Sequence, residues 1–86
     1  MTMLASNQKS WIPSLETFAS RIAMVRHLEG WNVKNASLAC GFPPANWRQW
    51  EKEGRLPRDV VSVARQIADR TGADAIWIMT GTASPE

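Results

Sequence analysis

Glycine and proline residues divide this chain into short segments, which limits the folds that are open to it. Between residues 30 and 81 they are Gly30, Gly41, Pro43, Pro44, Gly54, Pro57, Gly72 and Gly81. Between these positions the apolar residues recur at helical spacing, and no segment shows the strict alternation of a half-buried strand. A chain of 86 residues is also short enough to form one small domain around a single core. The sequence therefore predicts an all-α fold, a compact domain of five short helices.

The helix ranges are predicted from the apolar pattern together with capping residues. The expected ranges are 15–29, 33 to 39 or 40, 44–53, 58–71 and 75–80. Ser14, Asn32 and Asp74 precede three of them and can accept hydrogen bonds from the unpaired N–H groups of a first turn. Pro44 suits the first position of the third helix, where a missing N–H is harmless. A glycine follows each of the five, as is common at helix C-termini.

The expected core combines residues from the first, second and fourth helices. The first helix should contribute Leu15, Phe18, Ala19, Ile22, Val25 and Leu28 or Glu29, and the fourth Val60, Val63, Ala64, Ile67 and Ala68. In the second helix Ala36 and Cys40 are four residues apart and small, which suits close packing against a neighbouring helix.

The third predicted helix has two different faces. Trp47 and Trp50 are three residues apart and lie on one face, which should anchor the helix to the core. A second stripe is small, polar and cationic, and consists of Ala45, Arg48, Gln49 and Lys52. A helix held from behind by aromatic rings and presenting arginine, glutamine and lysine outward is suited to an anionic partner.

The charge of the chain is concentrated around this helix. The net charge of the whole chain is only +2. Residues 33–58 alone carry +3, because five basic residues (Lys34, Arg48, Lys52, Arg55 and Arg58) stand against Glu51 and Glu53. Such clustering is what contacts to the phosphates of a nucleic acid require.

Several other classes of function find no support in the sequence. One cysteine, Cys40, excludes an internal disulfide and fits a reducing compartment. No signal-peptide core or membrane-spanning run is present, so a cytoplasmic protein with no membrane partner is expected.

His27 and Cys40 have too few companion ligands for a metal site, and no nucleophile, base and orienting group can be assembled. We expect no enzyme activity, cofactor or small-molecule ligand.

The ends of the chain are predicted to lie outside the ordered domain. Residues 1–13 are expected to form a flexible N-terminal arm, residues 14–81 the domain, and residues 82–86 a C-terminal tail. Lys9 in the arm could contact a DNA minor groove, or the arm could be idle. Lys34 likewise could contact a phosphate or simply be solvated.

A set of short motifs resembles the lambda-repressor-like helix–turn–helix family, which includes Cro and the DNA-binding domains of phage repressors. The resemblance covers about residues 18–81. It is carried by Gly41, Trp47, Trp50, Glu51, the run Gly54-Arg55-Leu56-Pro57, the pairs Ile67-Ala68 and Thr71-Gly72, and the closing Ile76-Trp77-Ile78-Met79-Thr80-Gly81. No single motif is specific to the family, but the motifs in this order and at this spacing are a strong signal together.

The resemblance implies a five-helix domain whose third helix enters the DNA major groove while the second lies across the backbone. It also implies sequence-specific binding to a palindromic operator, commonly as a dimer, and usually repression; the length of the chain suits a stand-alone Cro-like repressor of phage or prophage type. By position, the bases would be faced by Ala45, Asn46, Arg48 and Gln49. The phosphates would be contacted by Lys34, Lys52 and Arg55, together with Arg58 and Lys9.

Four positions depart from the family pattern. Val33 stands where the family often has a glutamine that contacts DNA, and Ser37 stands where an alanine is usual. Pro43 and Pro44 replace the polar cap and the first reading residue of the third helix. Base reading should therefore depend on Asn46, Arg48 and Gln49.

Two alternatives use the same residues. The fold could serve as a protein-interaction module, such as an antitoxin or an anti-repressor, although an antitoxin should have a longer extension. The run Trp47-Arg48-Gln49-Trp50 could stack on single-stranded bases, but that requires exposed rings, whereas the spacing of the tryptophans indicates burial.

The fifth predicted helix suggests a dimer interface. Ile76, Trp77, Ile78 and Met79 are consecutive and apolar, so they surround the whole helix. If the core takes Trp77 and Ile78, Ile76 and Met79 are left for a two-fold partner. The alternative is that Ile76 packs against the first helix or the Trp11 arm of a monomer.

Overall fold

The computed structural model describes residues 15–82. Five α-helices follow one another along this range: α1 Phe18–Glu29, α2 Val33–Cys40, α3 Pro44–Lys52, α4 Val60–Thr71 and α5 Ala75–Thr80. No strand occurs among these residues, so the all-α, five-helix prediction is confirmed. The predicted arm, Ser14 and residues 83–86 of the predicted tail lie outside the described range.

Two predicted helix starts are wrong, because caps further along the chain define the first turn. α1 begins at Phe18 instead of residue 15, since Thr17 and Ser20 form a reciprocal capping box. The Ser20 N–H donates to Thr17 Oγ1 at 3.1 Å, and the Thr17 N–H donates to Ser20 Oγ at 3.3 Å. α4 begins at Val60 instead of residue 58, since Asp59 accepts from the Ser62 N–H at 3.1 Å.

The other predicted boundaries agree closely with the structure. α2 and α5 have the predicted ranges and their predicted caps, Asn32 and Asp74. α3 ends at Lys52, one residue before the predicted end, and Glu53 is its C-cap. Each of these boundaries is set by groups within a few residues of the helix end, which is why the local sequence predicts them.

The core contains residues of all five helices. Its buried apolar residues are Phe18, Ile22, Val25, Ala36, Cys40, Trp47, Trp50, Val63, Ala64, Ile67 and Ile78. The expectation that Leu28 or Glu29 completes the buried stripe of α1 is wrong, because Leu28 is 78% exposed and Glu29 is also exposed. Arg21 and Arg26 are buried on α1 instead. Charged side chains therefore occupy two positions on the inner face of this helix.

Arg21 joins the beginning and the end of the domain. Its guanidinium donates to the carbonyl oxygens of Ile78 at 2.8 Å, Met79 at 3.0 Å and Leu15 at 2.9 Å. The first two are carbonyls of the last turn of α5, where a cation is favoured by the helix dipole and by unpaired acceptors. Burial lowers the pKa of Arg21 from its ordinary value.

The packing of the helices places α3 on one side of the domain. α3 packs against α1 and α2, whereas α5 packs against α4 and α1, and α4 also contacts α2. α2 and α3 are joined by the short turn Gly41-Phe42-Pro43. Within residues 15–82, no helix combines the length and the apolar character needed to cross a membrane.

Candidate nucleic-acid interface

The inner face of α3 is aromatic and buried, as predicted. Trp47 is 0% exposed and Trp50 is 6% exposed. The Phe42 ring, in the preceding turn, lies 5.0 Å from the Trp50 ring and 6.4 Å from the Trp47 ring, centroid to centroid. The Phe18 ring of α1 makes a T-shaped contact with Trp50, with 6.5 Å between the ring centroids. These contacts hold α3 in one rotational setting, and neither indole face is free to stack on a base.

A buried ion pair also fixes α3 to α1, and the sequence analysis did not find it. Arg26 Nη2 lies 2.7 Å from Glu51 Oε2, and Arg26 Nε donates to Glu51 Oε1 at 2.8 Å. The indole N–H of Trp47 donates to Glu51 Oε1 at 2.8 Å. Arg26 also donates to the carbonyl of Trp31 at 3.0 Å. The Glu51 carboxylate, whose side chain is 4% exposed, thus binds an anchor of its own helix and a cation of α1.

This network keeps Glu51 ionised inside the domain. Burial alone would raise its pKa, but hydrogen bonds from Arg26 and Trp47, with the charges of Arg26 and Lys52, outweigh burial and lower the pKa below its ordinary value. The negative charge is therefore balanced from within by Arg26, and it does not oppose an anion that approaches the outer face of α3.

The outer face of α3 consists of small, amide and cationic residues. It is formed by Ala45, Asn46, Arg48, Gln49 and Lys52, all of them exposed. The Arg48, Gln49 and Asn46 side chains make no hydrogen bond or ion pair with any other residue in the described part of the chain. The five side chains form what we call the outer face of α3, and their donors and acceptors are available to a partner.

The remaining basic residues border this face. Lys52 Nζ lies 3.4 Å from Glu51 Oε2, and Arg55 Nε lies 3.7 Å from Glu53 Oε1. The Arg55 and Glu53 side chains are 69% and 53% exposed, and an ion pair this exposed contributes little, so Arg55 can exchange its partner for a phosphate. The Lys52 side chain is 56% exposed although its partner Glu51 is buried, so Lys52 is also accessible to a phosphate. Lys34 is exposed near the start of α2, and Arg58 is exposed in the segment between α3 and α4. Lys9 lies outside the described residues.

The start of α3 has few free hydrogen-bonding groups. Its N-cap residue is Pro43, whose side chain makes no capping hydrogen bond. Pro44 lies in the first turn and has no N–H. The N–H groups of Asn46 and Trp47 both point to the carbonyl of Pro43, at 3.0 and 3.4 Å. The hydrogen-bonding groups that α3 offers to a partner are therefore mainly those of its side chains.

The predicted dimer residues lie on a different surface, on α5. Ile76 is 40% exposed, whereas Met79 is half-buried and packs against the core together with Trp77. Ile78 is fully buried. Ile76 is thus the most exposed of the four consecutive apolar residues, and Met79 is shared between the core and the surface.

The two residues that could suggest metal or thiol chemistry have other surroundings. Cys40 is buried, as predicted, and burial raises the pKa of its thiol. His27 is exposed, with Nε2 3.3 Å from Arg26 Nη2. Among residues 15–82, no group of three or more histidine, cysteine, aspartate or glutamate side chains is arranged to hold a metal ion.

Comparison with known proteins adds no relative of this chain. Scans of protein-family models, of curated proteins and of solved structures each return no match.

Proposed function

We propose that this protein is a sequence-specific regulator that binds double-stranded DNA, with α2, the turn and α3 acting as a helix–turn–helix of the lambda-repressor-like kind. One observation carries the proposal: α3 buries both tryptophans while every outward side chain is an alanine, an amide or a cation. The simplest biological role is that of a stand-alone Cro-like repressor. A protein-interaction module of the same fold remains the competing function.

The outer face of α3 has the chemistry of base recognition in the major groove. An arginine can donate two hydrogen bonds to guanine, and asparagine or glutamine can pair with the edge of adenine. We assign these roles to Arg48, Asn46 and Gln49, and an apolar contact with a thymine methyl group to Ala45. Since the backbone at the start of α3 is occupied by prolines, discrimination between bases should come from these side chains.

Contacts to phosphates would supply affinity rather than specificity. Lys52 and Arg55 at the end of α3, Arg58 beyond it and Lys34 on α2 are the cations proposed for this role. If two copies bind and make six to ten phosphate contacts together, raising the salt from 50 to 200 mM should lower the affinity roughly 10³–10⁵-fold. We further propose that a two-fold dimer through α5 places two copies of α3 about one DNA turn, ~34 Å, apart.

Selection of bound sequences from random duplex DNA tests the proposal. We expect a recovered site, and salt-dependent binding to it. Arg48→Ala should weaken binding to that site by about 1–3 kcal/mol and relax the preference at one base pair. Lys52→Ala should weaken binding to all duplexes alike, which makes it the matched control for a lost charge.

Two results would contradict the proposal. One is the absence of duplex binding at low salt by a protein that is folded by circular dichroism. The other is binding that Arg48→Ala and Lys52→Ala weaken equally on every sequence, since the outer face of α3 would then read no base.

A further inference from the structure

A side chain of α4 is bonded to the turn that precedes the proposed reading helix. Gln66 Nε2 donates to the carbonyl oxygen of Cys40 at 2.6 Å. Cys40 is the last residue of α2, so its carbonyl has no acceptor role within that helix. The donor comes from α4, 26 residues further along the chain.

The amide of Gln66 also lies directly against the turn. A Cβ atom placed on Gly41 would be 2.9 Å from Gln66 Nε2, and Gly41 has a φ of +84°. The backbone conformation at this position favours glycine, and a Cβ here would displace the Gln66 amide. The next residue, Phe42, donates its N–H to Ser37 at 2.8 Å and packs its ring against both tryptophans of α3.

This hydrogen bond is a direct polar link from α4 to the turn that precedes α3, in addition to the apolar core that both helices share. In the described part of the chain, it is the only side-chain hydrogen bond that α4 makes to α2, the turn or α3. α4 packs on α2 and α5, while α3 packs on α1 and α2. A displacement at Gln66 would therefore reach α3 through Cys40, Gly41 and the ring of Phe42.

We propose that Gln66 is a positioning residue for DNA recognition: its bond to Cys40 holds the turn so that α2 and α3 meet one duplex together. The inference rests on the proposed function. Phosphate contacts tolerate small shifts of a flexible lysine, whereas paired hydrogen bonds to a base edge do not. Loss of this bond should therefore reduce discrimination between sequences more than it reduces binding to DNA in general.

The test replaces Gln66 by methionine, which keeps the length of the side chain and removes the donor. Affinity for the selected site should fall by up to roughly tenfold, the factor that one net hydrogen bond is worth if all of its free energy serves to hold the turn for binding. Affinity for random duplex and the slope of affinity against salt should stay unchanged. Thr71→Val is the matched control, because it removes the hydroxyl that donates to Ile67 at 2.8 Å at the other end of α4. It should lower the melting temperature without changing the preference for the selected site.

Nuclear magnetic resonance of the free proteins separates this inference from the proposed function. Gln66→Met should shift the amides of Gly41 and Phe42 and the indole N–H of Trp47, whereas Thr71→Val should not. If the wild type binds no duplex, the proposed function is wrong, and these shifts alone decide whether Gln66 positions α3. Shifts confined to α4, or a selected site bound by Gln66→Met with wild-type affinity, would overturn the inference.

Discussion

Replacing Glu51 by glutamine is expected to destabilise the fold while leaving the outer face of α3 chemically unchanged. Glu51 lies on the inner side of α3, and its carboxylate holds both Arg26 and the Trp47 indole. The substitution preserves the size of the side chain and removes its charge. The effect should therefore report the ion pair rather than a cavity.

The size of the effect follows from the burial of the pair. The Arg26 and Glu51 side chains are 10% and 4% exposed. Removing one partner of a buried ion pair costs about 3–5 kcal/mol. Glutamine retains one carbonyl oxygen, and Arg26 retains its bond to Trp31, so the lower end, about 3 kcal/mol, is expected. For a domain of this size that corresponds to a fall in Tm of roughly 12–24 °C.

The dependence on pH gives a second, independent signature. The pKa of Glu51 is lowered by folding from an ordinary value of 4.5, so the pair's contribution is fully present above that pH and is lost as the pH falls through the folded-state pKa. Thermal unfolding at a series of pH values should therefore show the largest gap between wild type and Glu51→Gln near pH 7. The gap should narrow as the pH falls below about 4.5, because Glu51 of the unfolded wild type is protonated there while the folded protein keeps it ionised, and the contribution is lost once the pH passes the lower folded-state pKa.

Glu53→Gln is the control for this experiment. Glu53 is two residues away, its side chain is 53% exposed, and its partner Arg55 lies at 3.7 Å, so its replacement should change stability by less than about 0.5 kcal/mol. Other carboxylates titrate equally in all three proteins and cancel in the differences. The reasoning is refuted if Glu51→Gln melts like wild type at pH 7, or if the gap between them stays constant down to pH 3.

Two further predictions concern the anchor of α3 and the surface of α5. Trp47→Ala should cost about 3–5 kcal/mol of folding stability, because a fully buried ring is removed; a variant that melts like wild type but no longer binds DNA would show that Trp47 contacts the ligand instead. Ile76→Asp should convert the proposed dimer into a monomer in sedimentation at micromolar concentration. It should cost little folding stability because Ile76 is 40% exposed, whereas a charge at the half-buried Met79 would change both the stability and the oligomeric state. A wild type that stays monomeric with and without a palindromic site would show that the dimer prediction is wrong.

Much of the fold and part of the candidate site could be predicted from the sequence, because local interactions determine them. α5 and its cap Asp74 follow from groups within one turn of each other. The two faces of α3 follow from the helical period, which places Trp47 and Trp50 inside and Arg48 outside. The predicted start of α1 is wrong because Ser14 and Thr17 are both capping residue types and the helix begins after Thr17. The predicted start of α4 is wrong because Asp59, at the second residue of the predicted range, is itself the cap.

Tertiary structure alone decided which charged and polar side chains belong to the interior. The spacing of a buried helix face is followed by Phe18, Arg21, Ile22, Val25 and Arg26. An arginine at such a position is nevertheless predicted to be solvent-exposed as long as its partner is unknown. Besides nearby carbonyls, Arg21 has two partners in α5, 57 and 58 residues away, and Arg26 has Glu51, 25 residues away. Burying a charge is favourable only when distant groups converge on it, and that convergence exists only once the helices have packed.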